Sequence, residues 1–143
     1  MEVRDAVETD AGAIAGIADA PAEAMRRTIH DRTVRVAVAD TTATDPNVDA
    51  DHERDPDLLG FVSFDVRENT VHVTQVGGTP DACERLLAEP MRFAAGEDMA
   101  VELLIVEGDD AARAAVENAD FDRVGPGPRF DGNATTRYRM ENP

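Results

Sequence analysis

The turn Gly77-Gly78-Thr79-Pro80 joins a segment with strand spacing to a segment with helix signals, and a turn of this kind can bind an anion. Apolar and polar residues alternate from Val71 to Thr74, which is typical of a strand. Thr79 suits the N-cap of the helix that follows, and Pro80 suits its first position. Free backbone N–H groups and the helix dipole attract phosphates and carboxylates to a helix start. The turn is therefore the first candidate for a binding site.

Arginines are gathered in two stretches of an otherwise acidic chain. The stretches 25–39 and 123–143 contain, in order, Arg26, Arg27, Arg32, Arg35, Arg123, Arg129, Arg137 and Arg139. Strand alternation places Arg137 and Arg139 on one face of their strand. A guanidinium can hold a carboxylate or a phosphate through two parallel hydrogen bonds. One interpretation is a shared anion site, and the other is that each arginine pairs with an acidic neighbour on the surface.

Other residue types argue against several kinds of chemistry. Ser63 is the only serine and lies within an apolar strand pattern, which disfavours a serine-nucleophile hydrolase. Cys83 is the only cysteine, so it forms neither an intramolecular disulfide nor a thiolate metal cluster. Residues 45–51 imitate the first half of a calcium-binding EF-hand loop, but Ala50 replaces its turn glycine and Pro56 its last carboxylate. We therefore predict no bound metal.

The composition is strongly acidic. The chain has 30 acidic and 14 basic residues and a net charge of −16, and all 14 basic residues are arginine. Such a surface repels nucleic acid and anionic membranes at low salt. It suggests a halophilic archaeon, whose salt would screen the repulsion within about 3 Å at molar ionic strength. The start of the chain lacks a signal peptide, and no segment approaches the roughly 20 apolar residues of a membrane span, so we expect a cytoplasmic protein.

At this length we expect one domain over residues 1–143, with elements that position the candidate residues. The periodicity predicts these elements in order: a strand at 3–7, a helix carrying Ile14 and Ile17, a helix from Pro21, a strand at 34–38, a long polar loop at 40–57, a strand at 58–66, a strand–helix–strand unit at 69–106, a helix at 111–119, an irregular connection at 125–128 and a last strand at 136–140. Pro90 should kink or split the helix of the central unit, whose apolar side carries Leu86, Leu87, Met91 and Phe93.

The order of these elements resembles that of the GNAT superfamily of acyl-CoA N-acyltransferases over essentially the whole chain. Local matches are residues 3–6 leading to Asp10 and Ile14, and Ala112 followed by Asp120-Phe121, where Asp120 stands in place of a family glycine. The resemblance implies an α/β fold with a mixed, mostly antiparallel sheet flanked by helices. The strands around Val73 and Leu104 are expected to be parallel neighbours.

In that family a strand ending in Val-x-Pro precedes Arg-Gly-x-Gly-x-Gly, whose N–H groups hold the pyrophosphate of acetyl-CoA. Val73 and the pair Leu86-Leu87 match the flanks, but residues 78–83 keep none of the glycines in register. We therefore expect a degenerate loop with weak acetyl-CoA binding, opposed by Asp81 and Glu84 in the first helical turn. By the resemblance, the cofactor-binding residues would be Val73, Gln75, Gly78, Thr79, Ala82, Cys83 and Arg85.

The family's usual proton donor is a tyrosine, and Val116 occupies that position here, while Asp109 replaces an asparagine of the same motif. The resemblance places His72 and Glu102 on the strands that flank the acyl site, where either could deprotonate an amine. Such residues are more often ordinary ones: a strand histidine is commonly a cross-strand polar partner, and Glu102 would then be a hydrogen-bonded carboxylate at a strand start. Tyr138 is a candidate general acid or a core residue.

Two functions follow from this resemblance. The first is a divergent acetyl-CoA-dependent N-acyltransferase that acts on a small amine, which would be anionic if Arg26, Arg27, Arg137 and Arg139 bind it. The second is a non-catalytic module of the same shape that has lost acetyl-CoA and serves as a ligand-binding or interaction domain. We expect neither nucleic acid nor membrane as a partner, and a homodimer is one assembly to consider.

Overall fold

Seven strands and four α-helices make up the described part of the chain in this computed structural model, which covers residues 1–39, 58–129, 132–141 and 143. The predicted loop at 40–57, with its calcium-like segment, therefore lies outside the described residues. In chain order the elements are β1 (Glu2–Asp5), α1 (Ala11–Ala18), α2 (Ala22–Asp31), β2 (Thr33–Val38), β3 (Leu58–Arg67), β4 (Thr70–Gly78), α3 (Pro80–Glu97), β5 (Ala100–Val106), α4 (Asp110–Asn118), β6 (Asp122–Pro126) and β7 (Thr135–Met140).

The strands form one sheet in the order β1-β2-β3-β4-β5-β7-β6. Only β4 and β5 are parallel neighbours, with Thr70 opposite Ala100 and Val73 opposite Leu103, and every other pair is antiparallel. The parallel pair requires a crossover, which α3 supplies. The predicted mixed, mostly antiparallel α/β fold is confirmed.

Two apolar clusters cover the sheet unequally. The larger lies beneath α3 and α4 and includes Val71, Leu86 and Val101, all fully buried. The smaller lies beneath α1 and α2 and includes Ile14 and Phe61. Because α1 and α2 pack chiefly on β2, β3 and β4, they leave the same face of β5 and β7 to polar and half-exposed side chains.

Helix α3 begins as predicted, since the Thr79 side chain accepts a hydrogen bond from the Ala82 N–H and Pro80 occupies the first turn. The helix runs unbroken through Pro90, so the split that a proline can cause does not occur. The buried Pro90 packs in the core instead. Phe93, expected on the buried side, is 45% exposed, with its ring centroid 6.2 Å from that of Phe64.

Near the N-terminus, the Asp10 side chain makes no capping hydrogen bond to α1. It is buried and accepts hydrogen bonds from Arg4 at 2.8 and 3.0 Å and from the Val7 N–H at 2.8 Å. Burial alone would raise the pKa of Asp10, but these hydrogen bonds and the charge of Arg4 hold that pKa below its ordinary value. The pair fixes the chain between β1 and α1.

The segment that follows α4 is more regular than its glycines and prolines predict. Strand β6 pairs with β7 through Pro126, with a bulge between Arg123 and Gly125. Pro126 is tolerated because β6 is an edge strand, where one side of the backbone needs no partner. The expected irregular connection therefore begins only after this residue. None of the helices in the described residues has the length and apolar character needed to cross a bilayer.

Candidate functional site

The parallel strands β4 and β5 separate partway along their length. Their pairing ends at Val73 opposite Leu103, although β4 continues to Gly78 and β5 to Val106. On its other side β4 contains a bulge, because Ser63 pairs with Gln75 and Phe64 with Val73, which leaves Thr74 as an extra residue. A bulge bends its strand and increases the local twist. The bend at Thr74 therefore turns β4 away from β5 and leaves the backbone of 74–78 without a strand partner on that side.

The separation opens a cleft of about 780 Å³. Its walls are β4, β5 and the end of α1, and the polar or charged residues that line it are Arg67, His72, Thr74, Gln75, Glu102, Asp109, Thr135 and Arg137. The predicted site residues that line it are His72, Val73, Gln75, Gly78, Glu102 and Arg137. The other predicted residues, which are not among its described lining, are Thr79, Ala82, Cys83, Arg85, Tyr138, Arg26, Arg27 and Arg139.

His72 and Glu102 lie side by side at one end of the cleft. They are register partners in the parallel pair, so their side chains share one face of the sheet. Arg139 Nη1 donates to Glu102 Oε2 at 2.7 Å, and Arg137 Nε forms an ion pair with Glu102 Oε1 at 3.3 Å. To take a proton, Glu102 would have to give up part of this pairing. An imidazole at His72 can accept a proton from an amine in the cleft, so His72 is the stronger candidate for a base.

The candidate acids lie elsewhere. Tyr138 is 4% exposed and belongs to the core beneath α3 and α4, and Val116 is fully buried in the same core. Asp109 does line the cleft, and its Oδ1 accepts the Ala112 N–H at 3.3 Å, which caps α4. A leaving group in the cleft would therefore take its proton from solvent rather than from the buried Tyr138, and the side chain of Val116 has no proton to donate.

The structure does not bring the two arginine groups together in the cleft. Arg26 lies outside it and pairs with Glu8 at 3.5 Å, and Arg27 is exposed on α2. Arg139 pairs with Glu102 and with Glu141. Only Arg137 of the four arginines expected to bind substrate lines the cleft. Among the described residues, no group of three or more His, Cys, Asp or Glu side chains could hold a metal ion.

At the other end of the cleft, the start of α3 uses its own hydrogen-bond donors. The Thr79 N–H donates to the Leu59 carbonyl at 3.0 Å, the Ala82 N–H to Thr79 Oγ1 at 3.2 Å, and the Cys83 N–H to the Thr79 carbonyl at 2.9 Å. Pro80 has no N–H. Four of the five positions from 79 to 83 therefore have no N–H to offer a phosphate.

The glycines of this turn serve packing. A Cβ on Gly78, which has a φ of +125°, would lie 2.2 Å from the Leu59 carbonyl oxygen. A Cβ on Gly60 would lie 2.6 Å from the Gly77 carbonyl oxygen and 2.9 Å from Ala82 Cβ. Gly78 and Gly60 thus allow β3, β4 and α3 to approach one another closely. Ala82 and Cys83 are fully buried beneath this contact.

Sequence reasoning missed Arg67 and the bulge at Thr74. The two-residue hairpin turn Glu68-Asn69, in which both residues have positive φ, fixes the register of β3 on β4 and could have placed Arg67 beside Thr70. The bulge has no local signal in the sequence, because Thr74 is as suitable for a regular strand as its neighbours. It was detectable only from the cross-strand register.

No family model matches this chain, and no curated protein is close enough in sequence to count as a relative. Similar folds are found among solved structures. The ribosomal-protein-alanine N-acetyltransferase from Brucella melitensis is 16% identical, with a TM-score of 0.69 and coverage of 98% of this chain and 99% of that one. Arabidopsis thaliana NAA60, in complex with a bisubstrate analogue, is 14% identical, with a TM-score of 0.70 and coverage of 97% and 96%.

A GNAT-family acetyltransferase from Bacillus cereus is 13% identical, with a TM-score of 0.67 and coverage of 99% of this chain and 96% of that one. These likenesses extend over nearly the full length of each chain, although identity is low. The chain therefore has the fold of the GNAT acetyltransferases.

Proposed function

We propose that this chain is an N-acyltransferase that moves an acyl group from a thioester of the acetyl-CoA type to a small amine. The opening between β4 and β5 is the observation that carries the proposal. The chain has the fold used by GNAT acetyltransferases, and His72 lies at one end of the opening. The activity is inferred from the site and the fold together, since a fold alone does not fix a function.

The unpaired edge of β4 suits the pantetheine arm of such a donor. Residues 74–78 present five residues of extended backbone, about 16 Å at roughly 3.3 Å per residue. A chain with amide groups can add to an unpaired strand edge through main-chain hydrogen bonds. Phe61, Val73 and Val76 add apolar surface along the same wall. The pantetheine half of acetyl-CoA therefore fits these residues, whereas the diphosphate half meets the closed start of α3.

The reaction that this arrangement supports is direct acyl transfer. The amine nitrogen forms a C–N bond to the acyl carbon as the C–S bond breaks, and His72 accepts the proton that the amine loses. The released thiolate takes a proton from solvent. Glu102 is held in place by Arg137 and Arg139 beside His72.

We further propose that the acceptor is small. Arg67 and Arg137 line the cleft, so an amine that also carries a carboxylate would be favoured. The acidic composition supports activity at high salt in a cytoplasm of molar KCl. A homodimer is compatible with the half-exposed face of β5 and β7, where Leu104 is 41% exposed.

Acyl transfer can be tested by following thiol release from acetyl-CoA in about 3 M KCl with a panel of small amines that includes amino acids and polyamines. We expect release that depends on the amine, with mass-spectrometric detection of the acetylated product. The variant His72→Gln should lose this activity. His30→Gln is the matched control, because His30 is an exposed histidine of α2 outside the cleft.

A second candidate is a non-catalytic binding module of the same fold. The engaged donors from 79 to 83 and the buried Val116 favour it. It predicts that no amine in the panel accelerates thiol release and that millimolar acetyl-CoA leaves the protein's NMR spectrum unchanged. Amine-dependent turnover would rule it out.

A further inference from the structure

We infer that the acyl donor is recognised through its pantetheine arm, and that the adenosine diphosphate half of CoA contributes nothing to binding. This inference rests on the proposed function and names the chemical class of donor: a pantetheine thioester. It is carried by the contrast between the open edge of β4 and the closed start of α3.

The start of α3 has few free N–H groups that could bind a phosphate. A phosphate at a helix start is held by N–H groups that the helix itself leaves free. Here Pro80 has none, and the N–H groups of Thr79, Ala82 and Cys83 are bonded within the protein. To bind a diphosphate, the turn would have to break the N-cap or the contact with Leu59. Each lost bond would offset what the phosphate gains.

The turn that precedes α3 is also tightly packed against β3. The backbone can approach a phosphate closely where glycines leave room for it. Gly78 already uses this freedom toward β3. A Cβ added to Gly78 would lie 2.2 Å from the Leu59 carbonyl oxygen and 2.4 Å from the Gly60 Cα. Ala82 and Cys83 are fully buried against the core. The turn therefore cannot shift toward β3 to open a cradle.

The charge around the starts of α3 and α4 also opposes a diphosphate. The starts of α3 and α4 adjoin the same end of the cleft. The segments around these starts, 79–85 and 107–113, contain five acidic residues and two arginines: Asp81, Glu84, Glu107, Asp109, Asp110, Arg85 and Arg113. The negative charge of Asp109 also acts on the first turn of α3, where it adds to the effect of burial in raising the pKa of Cys83. A diphosphate would meet net negative charge from two helices. A neutral pantetheine arm would not.

The test measures binding, so it needs no acceptor. Ligand-observed NMR titrations in about 3 M KCl would compare CoA, 4′-phosphopantetheine and pantetheine on the full chain. We expect dissociation constants that agree within about threefold. When KCl is lowered to about 1 M, with folding checked by circular dichroism, CoA should weaken relative to pantetheine because its repulsion is less screened.

Two double variants sharpen the comparison. Asp81→Asn with Glu84→Gln should strengthen CoA binding several-fold at 1 M KCl and leave pantetheine unchanged. Glu97→Gln with Asp98→Asn removes the same charge from the exposed far end of α3 and should change neither ligand.

The outcomes separate this inference from the proposed function. CoA binding tenfold or more tighter than pantetheine would overturn the inference and leave acyl transfer intact. Failure of all three ligands to bind at millimolar concentration would overturn both.

Discussion

The two ends of the cleft contrast in how their polar groups are used. At the His72 end, charged side chains line the opening, and the Glu102 side chain is 18% exposed. At the α3 end, four of the five positions from 79 to 83 have no N–H to offer, because Pro80 lacks one and the other three donate to Thr79 or to the Leu59 carbonyl. A strand-to-helix turn therefore does not bind anions merely because it has the right shape. What decides is whether its N–H groups are left free.

The same contrast explains the role of glycine. Glycines in a phosphate-binding turn make room for the ligand, whereas Gly78 makes room for a neighbouring strand. The two uses look alike in the sequence, because both place a glycine just before a helix. They differ only in what lies opposite the missing Cβ.

The largest effect is expected at the His72 end. His72→Gln removes the proposed base and should lower kcat by about 10²- to 10⁴-fold, the usual contribution of general base catalysis. Pantetheine binding should stay unchanged, since the edge of β4 from 74 to 78 is untouched. Steady-state kinetics together with the pantetheine titration would check both. A loss smaller than threefold would show that His72 is not the base.

Gly78→Ala should have the next largest effect, on stability rather than on chemistry. The added Cβ would lie 2.2 Å from the Leu59 carbonyl oxygen at a φ of +125°. Overpacking and a strained φ together should cost about 2 to 5 kcal/mol in the free energy of unfolding. Urea denaturation in high salt would measure it.

Gly96→Ala is the matched control for Gly78→Ala. Gly96 lies inside α3, and an added Cβ would meet nothing within 4 Å. A helical alanine should stabilise by about 0.5 to 1 kcal/mol. If both variants were neutral, the glycine of the turn would be free to serve a ligand, and the contrast between the two ends would fail.

Asp10 provides a reference for the carboxylate of Glu102. Both pair with arginine, but Asp10 is buried and also holds the Val7 N–H. Asp10→Asn leaves Arg4 with a weaker partner and should cost about 2 to 4 kcal/mol, toward the range for breaking a buried pair. Glu102→Gln should cost at most about 1 kcal/mol, as for partly exposed pairs.

Asp10→Asn should also change how stability depends on acid. Because the folded state lowers the pKa of Asp10 below its ordinary value of 3.8, its contribution is complete above that value and is lost as the pH falls toward the lowered one. Urea denaturation between pH 3 and 7 should therefore show that the free energy of unfolding falls less steeply toward acid in Asp10→Asn than in the unchanged chain. An unchanged slope would mean that Asp10 does not carry this dependence.

Local signals predicted much of the fold. Alternation and caps located the central unit, and the predicted parallel pairing of the strands around Val73 and Leu104 is confirmed. The replacement of a family glycine by Asp120 also has a structural account, since Asp120 takes a φ of +67°, a conformation that aspartate tolerates better than most residues.

The site was less predictable because it depends on long-range contacts. The sequence indicates that arginines near 137–139 need anions, but it does not show that Glu102, on another strand, meets two of them. Nor does it show that the Thr79 N–H donates to the Leu59 carbonyl while Thr79 Oγ1 accepts the Ala82 N–H. Strand β6 was missed because Gly125 and Pro126 are typical of turns, and only its edge position makes them tolerable.

The smallest effect concerns the field of Asp109 at the α3 end. Burial, and then the charge of Asp109, raises the pKa of the Cys83 thiol to about 11, so the thiol should be unreactive at neutral pH. Asp109→Asn keeps an N-cap, because asparagine caps as well as aspartate. It removes the negative charge, so the pKa should fall and the thiolate fraction should rise. The alkylation rate of Cys83 by iodoacetamide, followed by mass spectrometry from pH 7 to 10, should increase by roughly a few-fold at each pH, as for one charge acting through a partly screened medium.

Asp110→Asn controls for net charge and for the stability of α4, since Asp110 is an exposed residue of the same first turn. An equal increase in both variants would point to easier opening of the fold, whereas an increase confined to Asp109→Asn would show that a carboxylate field reaches the turn where a diphosphate would have to lie.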